Sequence, residues 1–289
     1  MNSGNVNVVG PLPGTVVVVG LGLMGGSLCR ALKSTSTPPH IIGMDRSPEA
    51  GKRALEARVI DEFEPDSLVS LNGADLVVYA VPLGTAVSLI GEQACRLGAD
   101  TLLTDVVSLK EPLIRAAAAA GVSERFVGAH PICGGEGSGL DAGSAELFSD
   151  ATIWLTASDE ASSEARTSIE SFWTAVGGRP RWIAAGEHDR RMAWVSHLPQ
   201  LVANALAGAL DSAGCGRDEL GPGGRDMTRL AGSNPEIWRD LLEASAPVTG
   251  TGLTSVSNAL NILADLLARR EVDRISEFME RTRRWSQSD

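Results

Sequence analysis

The chain has 289 residues, 43% of them hydrophobic and 21% charged, and its 25 basic and 36 acidic side chains give a net charge of −11. These values are typical of a globular protein with enough core for one large domain or two modest ones, and they exclude a collagen-like or wholly disordered chain. The negative charge argues against general nucleic-acid binding, which needs a basic face, but allows a small anionic substrate in a locally basic pocket.

The cysteines and the N-terminal residues bear on the compartment. Four cysteines form no CxxC pair, and a chain of this size needs no disulfide framework, which favours a reducing environment. Residues 1–13 carry no basic side chain before an apolar run, which argues against a signal peptide. No apolar stretch approaches the roughly 20 residues that span a bilayer. We therefore expect a cytoplasmic protein that binds neither membrane nor nucleic acid.

The first two thirds of the chain alternate predicted strands with predicted helices. Strands are predicted at 15–20, 40–45, 74–82, 101–105, 125–131, 151–157 and 179–185. Helices are predicted at 27–33, 110–121 and 164–177. This alternation predicts a parallel sheet with helical crossovers.

The remainder of the chain is predicted to be helical. Residues 188–210 have helical spacing, and Pro199 is expected to kink the helix or start a new one. Residues 233–236 supply a cap residue, an early proline and a glutamate, which signal another helix start. Residues 258–285 form an amphipathic pattern.

The change of pattern near residue 186 predicts two domains of an α/β protein. Residues 14–186 are expected to form an N-terminal α/β domain. Residues 187–289 are expected to form an all-helical C-terminal domain.

The sequence GLGLMG at residues 20–25 fits GxGxxG and lies directly between a predicted strand and a predicted helix. Gly20 permits a tight turn, Gly22 lets the backbone approach a pyrophosphate, and Gly25 lets the helix pack on the strand. The helix N-terminus then presents its partial positive charge to the phosphates. A glycine-rich turn without a ligand is the alternative, which this context disfavours. We include Leu23 and Met24 in the predicted cofactor site.

Asp45 ends the second predicted strand, 20 residues after Gly25, where an acidic residue accepts hydrogen bonds from the adenosine ribose. It would repel a 2′-phosphate, so NAD is the predicted cofactor, although Arg46 and Ser47 beside it leave NADP open. The carboxyl ends of later strands bind ligands in open α/β sheets. Three residues there are expected near the nicotinamide: Val81, Pro82 and Asp105.

Of the four histidines, His130 is the candidate for catalysis. It ends a predicted strand at the carboxyl edge and precedes a proline and a glycine-rich loop, as catalytic groups of this architecture do. A structural histidine is the alternative. We interpret His40 as a surface residue and His188 as a solvated or helix-cap residue. Cys133, three residues after His130, is a weak candidate nucleophile, and no cluster has metal-ligand spacing.

Two polar groups follow in the predicted helical domain. His197 and Gln200 share a helix face and form either a buried hydrogen-bond network or a pocket wall. Asp226 and Arg229 have the spacing of a surface ion pair. Alternatively, Arg229 binds a substrate carboxylate while Asp226 orients it.

Five ordered blocks of this sequence resemble the prephenate/arogenate dehydrogenase family of tyrosine biosynthesis. They are GLGLMGGS, TDVVSLK, GAHPICGGEGSGLDAGSAELF, SHLPQLVANAL and GGRDMTRLAGSNPEIWRDLLEAS. The resemblance implies that residues 14–186 form a Rossmann-like dinucleotide-binding domain and that residues 187–289 form a helical domain that binds substrate and makes a homodimer. It also implies NAD(P)-dependent oxidative decarboxylation of prephenate to 4-hydroxyphenylpyruvate, or of arogenate to tyrosine.

The resemblance assigns the reacting end of the substrate to two residues. His130 matches the histidine that hydrogen-bonds the ring hydroxyl and takes up its proton. Ser108 matches a serine that contacts the same hydroxyl and helps to hold His130.

The same resemblance assigns the rest of the substrate site. Arg229 matches the arginine that binds a substrate carboxylate, and Asp226 and Glu136 match acidic residues of its ionic network. His197 and Trp238 match pocket residues near the substrate.

One departure from the family pattern concerns substrate choice. Many members that use prephenate have SHLPH where this chain has SHLPQ, so Gln200 replaces a second histidine. A glutamine cannot carry positive charge, and a less cationic pocket would favour the ammonium of arogenate.

Two rival functions are considered. β-Hydroxyacid dehydrogenases share the GLGxMG start but use a lysine on a later helix, and residues 187–289 contain no lysine. A non-enzymatic dinucleotide-binding sensor would need the glycine turn but not His130, Ser108 and Arg229 together.

Overall fold

The structure is a computed structural model that describes residues 12–65, 70–135 and 137–288. The chain divides into two compact units. One contains the described residues up to Asp189 together with Ile237–Ala244, and the other contains Arg190–Glu236 and the described residues from Ser245 onward.

The first unit is built on a parallel sheet of five strands in the order β3-β2-β1-β4-β5. The strands are β1 (Thr15–Val19), β2 (His40–Met44), β3 (Glu62–Glu64), β4 (Leu76–Tyr79) and β5 (Leu102–Asp105). The central strand β1 is a run of valines because both faces of such a sheet are covered. Val16 and Val18 belong to one buried cluster and Val17 and Val19 to another, as the two-residue period of a strand requires.

Four helices, each following one strand of this sheet, cover its two faces. They are α1 (Leu23–Lys33), α2 (Pro48–Glu56), α3 (Leu83–Gln93) and α4 (Glu111–Ala119). Helices α1 and α2 contribute to the cluster of Val16 and Val18, whereas α3 and α4 contribute to that of Val17 and Val19. This two-sided packing is the doubly wound arrangement that the strand–helix alternation predicts.

Three further strands form a second sheet in the order β6-β7-β8. They are β6 (Gly128–Pro131), β7 (Thr152–Thr156) and β8 (Arg179–Trp182), with α5 (Ser163–Ala175) between the last two. Strand β6 continues from a parallel bridge between Phe126 and Leu103 of β5, so it ends at the same edge as the central sheet. Strands β6 and β7 pair antiparallel, which the prediction of a wholly parallel sheet did not include. A parallel pair of strands needs a crossover connection, usually an α-helix, and the described part of residues 132–151 contains no α-helix. Strand β7 therefore runs antiparallel to β6.

Helices make up the remainder. They are α6 (Ala185–Met192), α7 (Leu198–Ser212), α8 (Pro222–Thr228), α9 (Pro235–Ala268) and α10 (Val272–Ser286), with a π-helical turn over Ala193–His197. Short 3₁₀ turns occur at Ser70–Gly73, Ala94–Arg96, Ser123–Arg125, Leu140–Ala142, Arg217–Glu219 and Arg229–Gly232. Residues 187–288, all of them described, contain no strand, as predicted. No helix in the described ranges is both long and apolar enough to cross a membrane.

The predicted helix boundaries are mostly close to those observed. Pro199 lies in the first turn of α7, so a new helix begins there. Helix α9 is capped by Asn234, whose side chain accepts a hydrogen bond from the backbone of Glu236 at 3.0 Å. The amphipathic stretch 258–285 is not one helix, because Arg270 adopts a left-handed φ of 57° between α9 and α10.

Candidate active site

The glycine turn between β1 and α1 has the geometry that its sequence predicts. Gly20 adopts a φ of +96°, and its N–H donates to the carbonyl of Met44 at 2.7 Å. A Cβ on Gly25 would lie 1.9 Å from the carbonyl oxygen of Gly20, so no side chain fits there. Gly22 begins α1, and a Cβ on it would have no atom within 4 Å. The turn therefore leaves open space at the helix N-terminus, where a phosphate binds favourably.

A cleft of about 460 Å³ lies beside this turn at the carboxyl edge of the central sheet. Six of its lining residues belong to the predicted cofactor set: Gly20, Gly22, Asp45, Arg46, Val81 and Pro82. Thr85 and Leu89 on α3 also line it. The sequence analysis did not indicate these two residues, because it predicted no helix over 83–93.

Asp45 is held firmly at the end of β2. One carboxylate oxygen accepts a hydrogen bond from the backbone of Leu21 at 2.8 Å, and the other accepts one from the backbone of Ser47 at 2.9 Å. Each carboxylate oxygen can accept a further hydrogen bond. Asp45 is thus positioned to receive the hydroxyls of a ribose, while Arg46 beside it is exposed. The open glycine turn and this fixed carboxylate fit the diphosphate and the ribose of an adenosine diphosphate group.

Asp105 does not line the cleft. It is fully buried and forms an ion pair with the equally buried Lys110. Its carboxylate also accepts backbone hydrogen bonds from Val107 and Ala129, and Lys110 donates to the carbonyl of Ala129 at 2.6 Å. Burial raises the pKa of the Asp105 carboxyl and lowers that of the Lys110 amine, while their mutual attraction opposes both shifts. The pair fixes the backbone of β6 next to His130.

His130 is half-buried at the end of β6, the same edge as the nucleotide cleft. Its Nδ1 lies 3.0 Å from Nε2 of His188, and the two rings are nearly perpendicular, at 79°. His188 is fully buried, so its interpretation as a solvated residue was wrong. Its Nδ1 lies 2.7 Å from a carboxylate oxygen of Asp189. His130 is therefore connected through His188 to a carboxylate.

The start of α4 holds Asp189 in place. One oxygen accepts the backbone N–H of Lys110 at 2.8 Å, and the other accepts the backbone N–H of Glu111 at 2.9 Å. These N–H groups belong to the helix N-terminus, which has no intrahelical partners for them and favours a negative charge. Asp189 was not among the predicted site residues.

The remaining predicted residues of this unit lie in loops or outside the described ranges. Ser108 is half-buried in the loop between β5 and α4. Glu136 falls outside the described residues. Burial raises the pKa of the Cys133 thiol to about 11, which argues against a nucleophilic thiolate. In the described ranges no group of three or more His, Cys, Asp or Glu side chains could hold a metal ion.

Trp238 lies near the start of α9, in the segment that belongs to the first unit. Its side chain is half-buried and packs against the apolar cluster beside α3 and α4. Asp240 on the same helix accepts the backbone N–H of Gly84 at 3.1 Å.

In the second unit, His197 and Gln200 belong to buried hydrogen-bond networks. His197 is 1% exposed, and its Nδ1 lies 3.0 Å from the hydroxyl of Ser245. Gln200 donates to the carbonyl of Leu230 at 2.7 Å and accepts from the hydroxyl of Ser233 at 3.2 Å. The polar stripe is thus engaged in a network, and Gln200 fixes the turn that follows Arg229.

Arg229 and Asp226 are both exposed on α8 and the turn after it. The ion pair that their spacing allows is not formed, since no ion pair joins them within 4.0 Å. Among the described residues, none hydrogen-bonds or pairs with the Arg229 guanidinium. Arg229 is therefore available to an anion.

Comparisons with known proteins agree with this geometry. A family model described as the prephenate dehydrogenase nucleotide-binding domain matches residues 28–181, and the model of its dimerization domain matches residues 184–281. A cyclohexadienyl dehydrogenase from Zymomonas mobilis is 29% identical over 276 residues, or 93% of this chain and 94% of that protein.

Two solved structures are similar over almost their full length. Prephenate dehydrogenase from Aquifex aeolicus, in complex with hydroxyphenyl propionate and NAD⁺, has a TM-score of 0.87 at 27% identity and covers 96% of this chain and 97% of that one. Synechocystis arogenate dehydrogenase has a TM-score of 0.79 at 25% identity and covers 93% and 97%. With both family models matched in order along its length, this chain belongs to the prephenate dehydrogenase family.

Proposed function

We propose that this protein is an NAD-dependent prephenate dehydrogenase that oxidatively decarboxylates prephenate to 4-hydroxyphenylpyruvate. The observation that carries the proposal is the position of His130 at the same sheet edge as the dinucleotide cleft. A base at that edge can take a proton from a hydroxyl whose carbon loses a hydride to the cofactor. Arogenate as substrate, within the same reaction, is the second candidate.

The cofactor cleft fits NAD. The open space at Gly22 accommodates a pyrophosphate, and the Asp45 carboxylate accepts ribose hydroxyls and disfavours a 2′-phosphate. When bound, NAD supplies the acceptor for the hydride that leaves the ring carbon. Leu23, Met24 and Gly25 form the first turn of α1, the helix N-terminus at which the pyrophosphate would bind. If the protein used NADP, the exposed Arg46 is the residue that would bind its 2′-phosphate.

Replacing Gly22 with alanine is expected to weaken NAD binding about tenfold or more, which corresponds to about 1.4 kcal/mol. The added methyl group meets no protein atom, but it occupies the space that the pyrophosphate needs. Calorimetric titration with NADH measures the affinity, and thermal unfolding should be unchanged. Gly91→Ala, which also has open space around its Cβ but lies in the last turn of α3, is the matched control. Equal affinities of the two variants would contradict the pyrophosphate assignment.

The proposed chemistry uses His130 twice. Neutral His130 accepts the proton of the ring hydroxyl at Nε2 as the carbonyl forms, and Ser108 contacts the same oxygen. Loss of carbon dioxide then sends an electron pair through the ring to that oxygen, and the His130 imidazolium returns the proton to give the phenol. His130 therefore both removes the proton and returns it, so the proposed chemistry needs no second acid or base.

We assign the other end of the substrate to residues from the sequence resemblance. Arg229 binds a carboxylate of prephenate, supported by its exposed and unpaired guanidinium. The resemblance assigns Asp226 and Glu136 to an ionic network with Arg229, although Asp226 does not pair with Arg229 in the structure. His197, Gln200 and Trp238 are proposed as residues near the substrate, with Gln200 acting through the turn at Leu230.

Replacing Arg229 with alanine is expected to raise KM for prephenate about tenfold or more while kcat stays nearly unchanged. The guanidinium binds the carboxylate equally in the ground state and the transition state. Steady-state kinetics at saturating NAD⁺ separate the two constants. Arg225→Ala is the matched control, because Arg225 already donates to the carbonyl of Leu220. A fall in kcat at constant KM would assign Arg229 a different role.

Prephenate and arogenate are distinguished by turnover. The ratio of kcat/KM for the two substrates, measured with NAD⁺ and again with NADP⁺, gives both preferences. Higher kcat/KM with prephenate and NAD⁺ supports the proposal, whereas a preference for arogenate replaces it with the second candidate. NAD binding without turnover of either substrate would favour the non-enzymatic sensor.

We further propose a homodimer formed through the helical domain, residues 187–289, with residues 14–186 as the nucleotide-binding domain. The match to a dimerization domain supports this assembly. So do apolar side chains more than half exposed on α9 and α10: Leu260, Ile262, Leu267, Met279 and Trp285. We propose the cytoplasm as the compartment, which is consistent with four free cysteines.

A further inference from the structure

His188 and Asp189 continue a chain of hydrogen-bonded groups that begins at the proposed base, His130. We propose that His188 and Asp189 are positioning residues that fix the tautomer of His130, so that its Nε2 is the unprotonated nitrogen that receives the substrate proton. This inference rests on the proposed function for its catalytic meaning, but the arrangement of protons can be tested without substrate.

The direction of the hydrogen bonds follows from Asp189. Each of its oxygens accepts a backbone N–H from the start of α4. An oxygen carrying a proton would be a poor partner for these donors, so the ionised carboxylate is the form that the helix N-terminus stabilises. An ionised carboxylate can only accept. The hydrogen between Asp189 and Nδ1 of His188, 2.7 Å apart, therefore belongs to His188.

The position of the proton on His188 in turn determines which nitrogen of His130 carries its proton. A neutral histidine that carries its proton on Nδ1 has an unprotonated, accepting Nε2. Nε2 of His188 lies 3.0 Å from Nδ1 of His130, so the hydrogen in that contact belongs to His130. His130 then has its lone pair on Nε2. The chain of groups thus sets the base in the form that proton uptake requires.

The same groups stabilise the charged state. When His130 takes up a proton, its Nδ1–H still donates to His188, and the negative charge of Asp189 lies one ring further away. Because His188 is fully buried and Asp189 nearly so, water screens this interaction weakly. The arrangement resembles the carboxylate–histidine part of a hydrolase triad, with one imidazole inserted.

The first test is nuclear magnetic resonance of protein labelled with ¹⁵N-histidine, without substrate. The chain has four histidines, and the signals lost in His130→Asn and His188→Gln assign the two relevant ones. We expect His130 and His188 both to carry the neutral-form proton on Nδ1. We expect Asp189→Asn to move the His130 proton to Nε2, since an amide can donate to Nδ1 of His188. A proton on Nε2 of His130 in the unsubstituted protein would overturn the proposal.

The second test is kinetic, with turnover by the unsubstituted enzyme as the reference. Asp189→Asn is expected to lower kcat about a hundredfold or more at nearly constant KM, and the exposed Asp159→Asn is its control. His188→Gln can place its amide oxygen where Nε2 was, so it should retain a higher kcat than His188→Ala. Wild-type kcat in Asp189→Asn, or no advantage of glutamine over alanine, would overturn the proposal.

The pH profile separates positioning from a merely structural role. The acid limb of kcat/KM reports protonation of the base, and removing the negative charge of Asp189 disfavours the imidazolium. We expect this limb to move to lower pH in Asp189→Asn. Lys110, whose charge interacts with that of Asp189, and its own partner Asp105 are unchanged in the variant. A lower plateau with an unmoved limb would contradict the proposal.

Failure of the proposed function can be distinguished from failure of the positioning role. If the unsubstituted enzyme turns over neither prephenate nor arogenate, the function is withdrawn, while the ¹⁵N signals still report the tautomers. If the enzyme is active and the tautomers are reversed, only the positioning role is withdrawn. Should Asp189→Asn not fold, the signals of the unsubstituted protein and the two His188 variants still decide the question.

Discussion

Replacing His130 with asparagine is expected to lower kcat about a hundredfold or more while NAD affinity stays nearly unchanged. Asparagine removes the group that accepts the proton of the ring hydroxyl. Its amide nitrogen can still donate toward Nε2 of His188, in place of Nδ1 of His130, so the local structure should persist. The initial rate of nicotinamide reduction measures turnover, and titration with NADH measures the affinity.

The control for this variant is His40→Asn. His40 is exposed at the start of β2 and contacts Glu62 at 3.0 Å, on the strand end opposite the cleft. It should retain the rate of the unsubstituted enzyme. Turnover by His130→Asn equal to that of the control would remove His130 from the mechanism.

The second large effect concerns stability. Replacing Lys110 with methionine is expected to lower the free energy of unfolding by about 3–5 kcal/mol, because it leaves the Asp105 carboxylate buried without its counter-charge. It also removes the donor to the carbonyl of Ala129. Urea denaturation measures the change. Lys52→Met, which breaks an exposed pair with Glu56, should cost at most about 0.5 kcal/mol.

The loss in Lys110→Met should depend on pH with a definite sign. Burial raises the pKa of Asp105, and without Lys110 nothing of opposite charge offsets that shift. A group whose pKa is higher in the folded state stabilises the fold below its unfolded pKa, about 3.9 for aspartate, and loses that contribution as the pH rises. The difference from the unsubstituted protein should therefore grow from acidic to neutral pH.

The double variant Asp105→Asn, Lys110→Met tests the same account. A neutral amide in place of the unpaired carboxylate should recover part of the lost stability. A double variant less stable than Lys110→Met would show that the charge of Asp105 is not the source of the loss.

Much of the fold could be predicted from the sequence because its strands have strong local patterns. The valine run of β1 and the glycine turn after it predict a buried strand and a helix start, and both occur. Strand β3 was missed because Glu62–Glu64 is short and polar and lies at the sheet edge, pairing with β2. The antiparallel pairing of β6 with β7 was missed because strand direction depends on where the connection runs, which local sequence does not encode.

Site residues could be predicted from the sequence where a motif by itself determines the local backbone geometry. Gly20, Gly22 and Asp45 line the cleft because their positions follow from the strand–turn–helix unit itself. Asp105 was expected at the nicotinamide from its place at a strand end, but its buried pairing with Lys110 comes from tertiary packing. His188 was misread for the same reason. The adjacent histidine and aspartate were visible in the sequence, but nothing in it showed that β6 and α4 enclose them.

The proposed prephenate dehydrogenase activity is tested most directly by the stoichiometry of one reaction. Purified protein is mixed with NAD⁺ and prephenate, and NADH and 4-hydroxyphenylpyruvate are quantified in the same sample. Both are expected to form at the same rate, one for one, and neither is expected to form with His130→Asn above the residual level. NADH without the aromatic product, or no reaction with prephenate while NADH still binds, would contradict it.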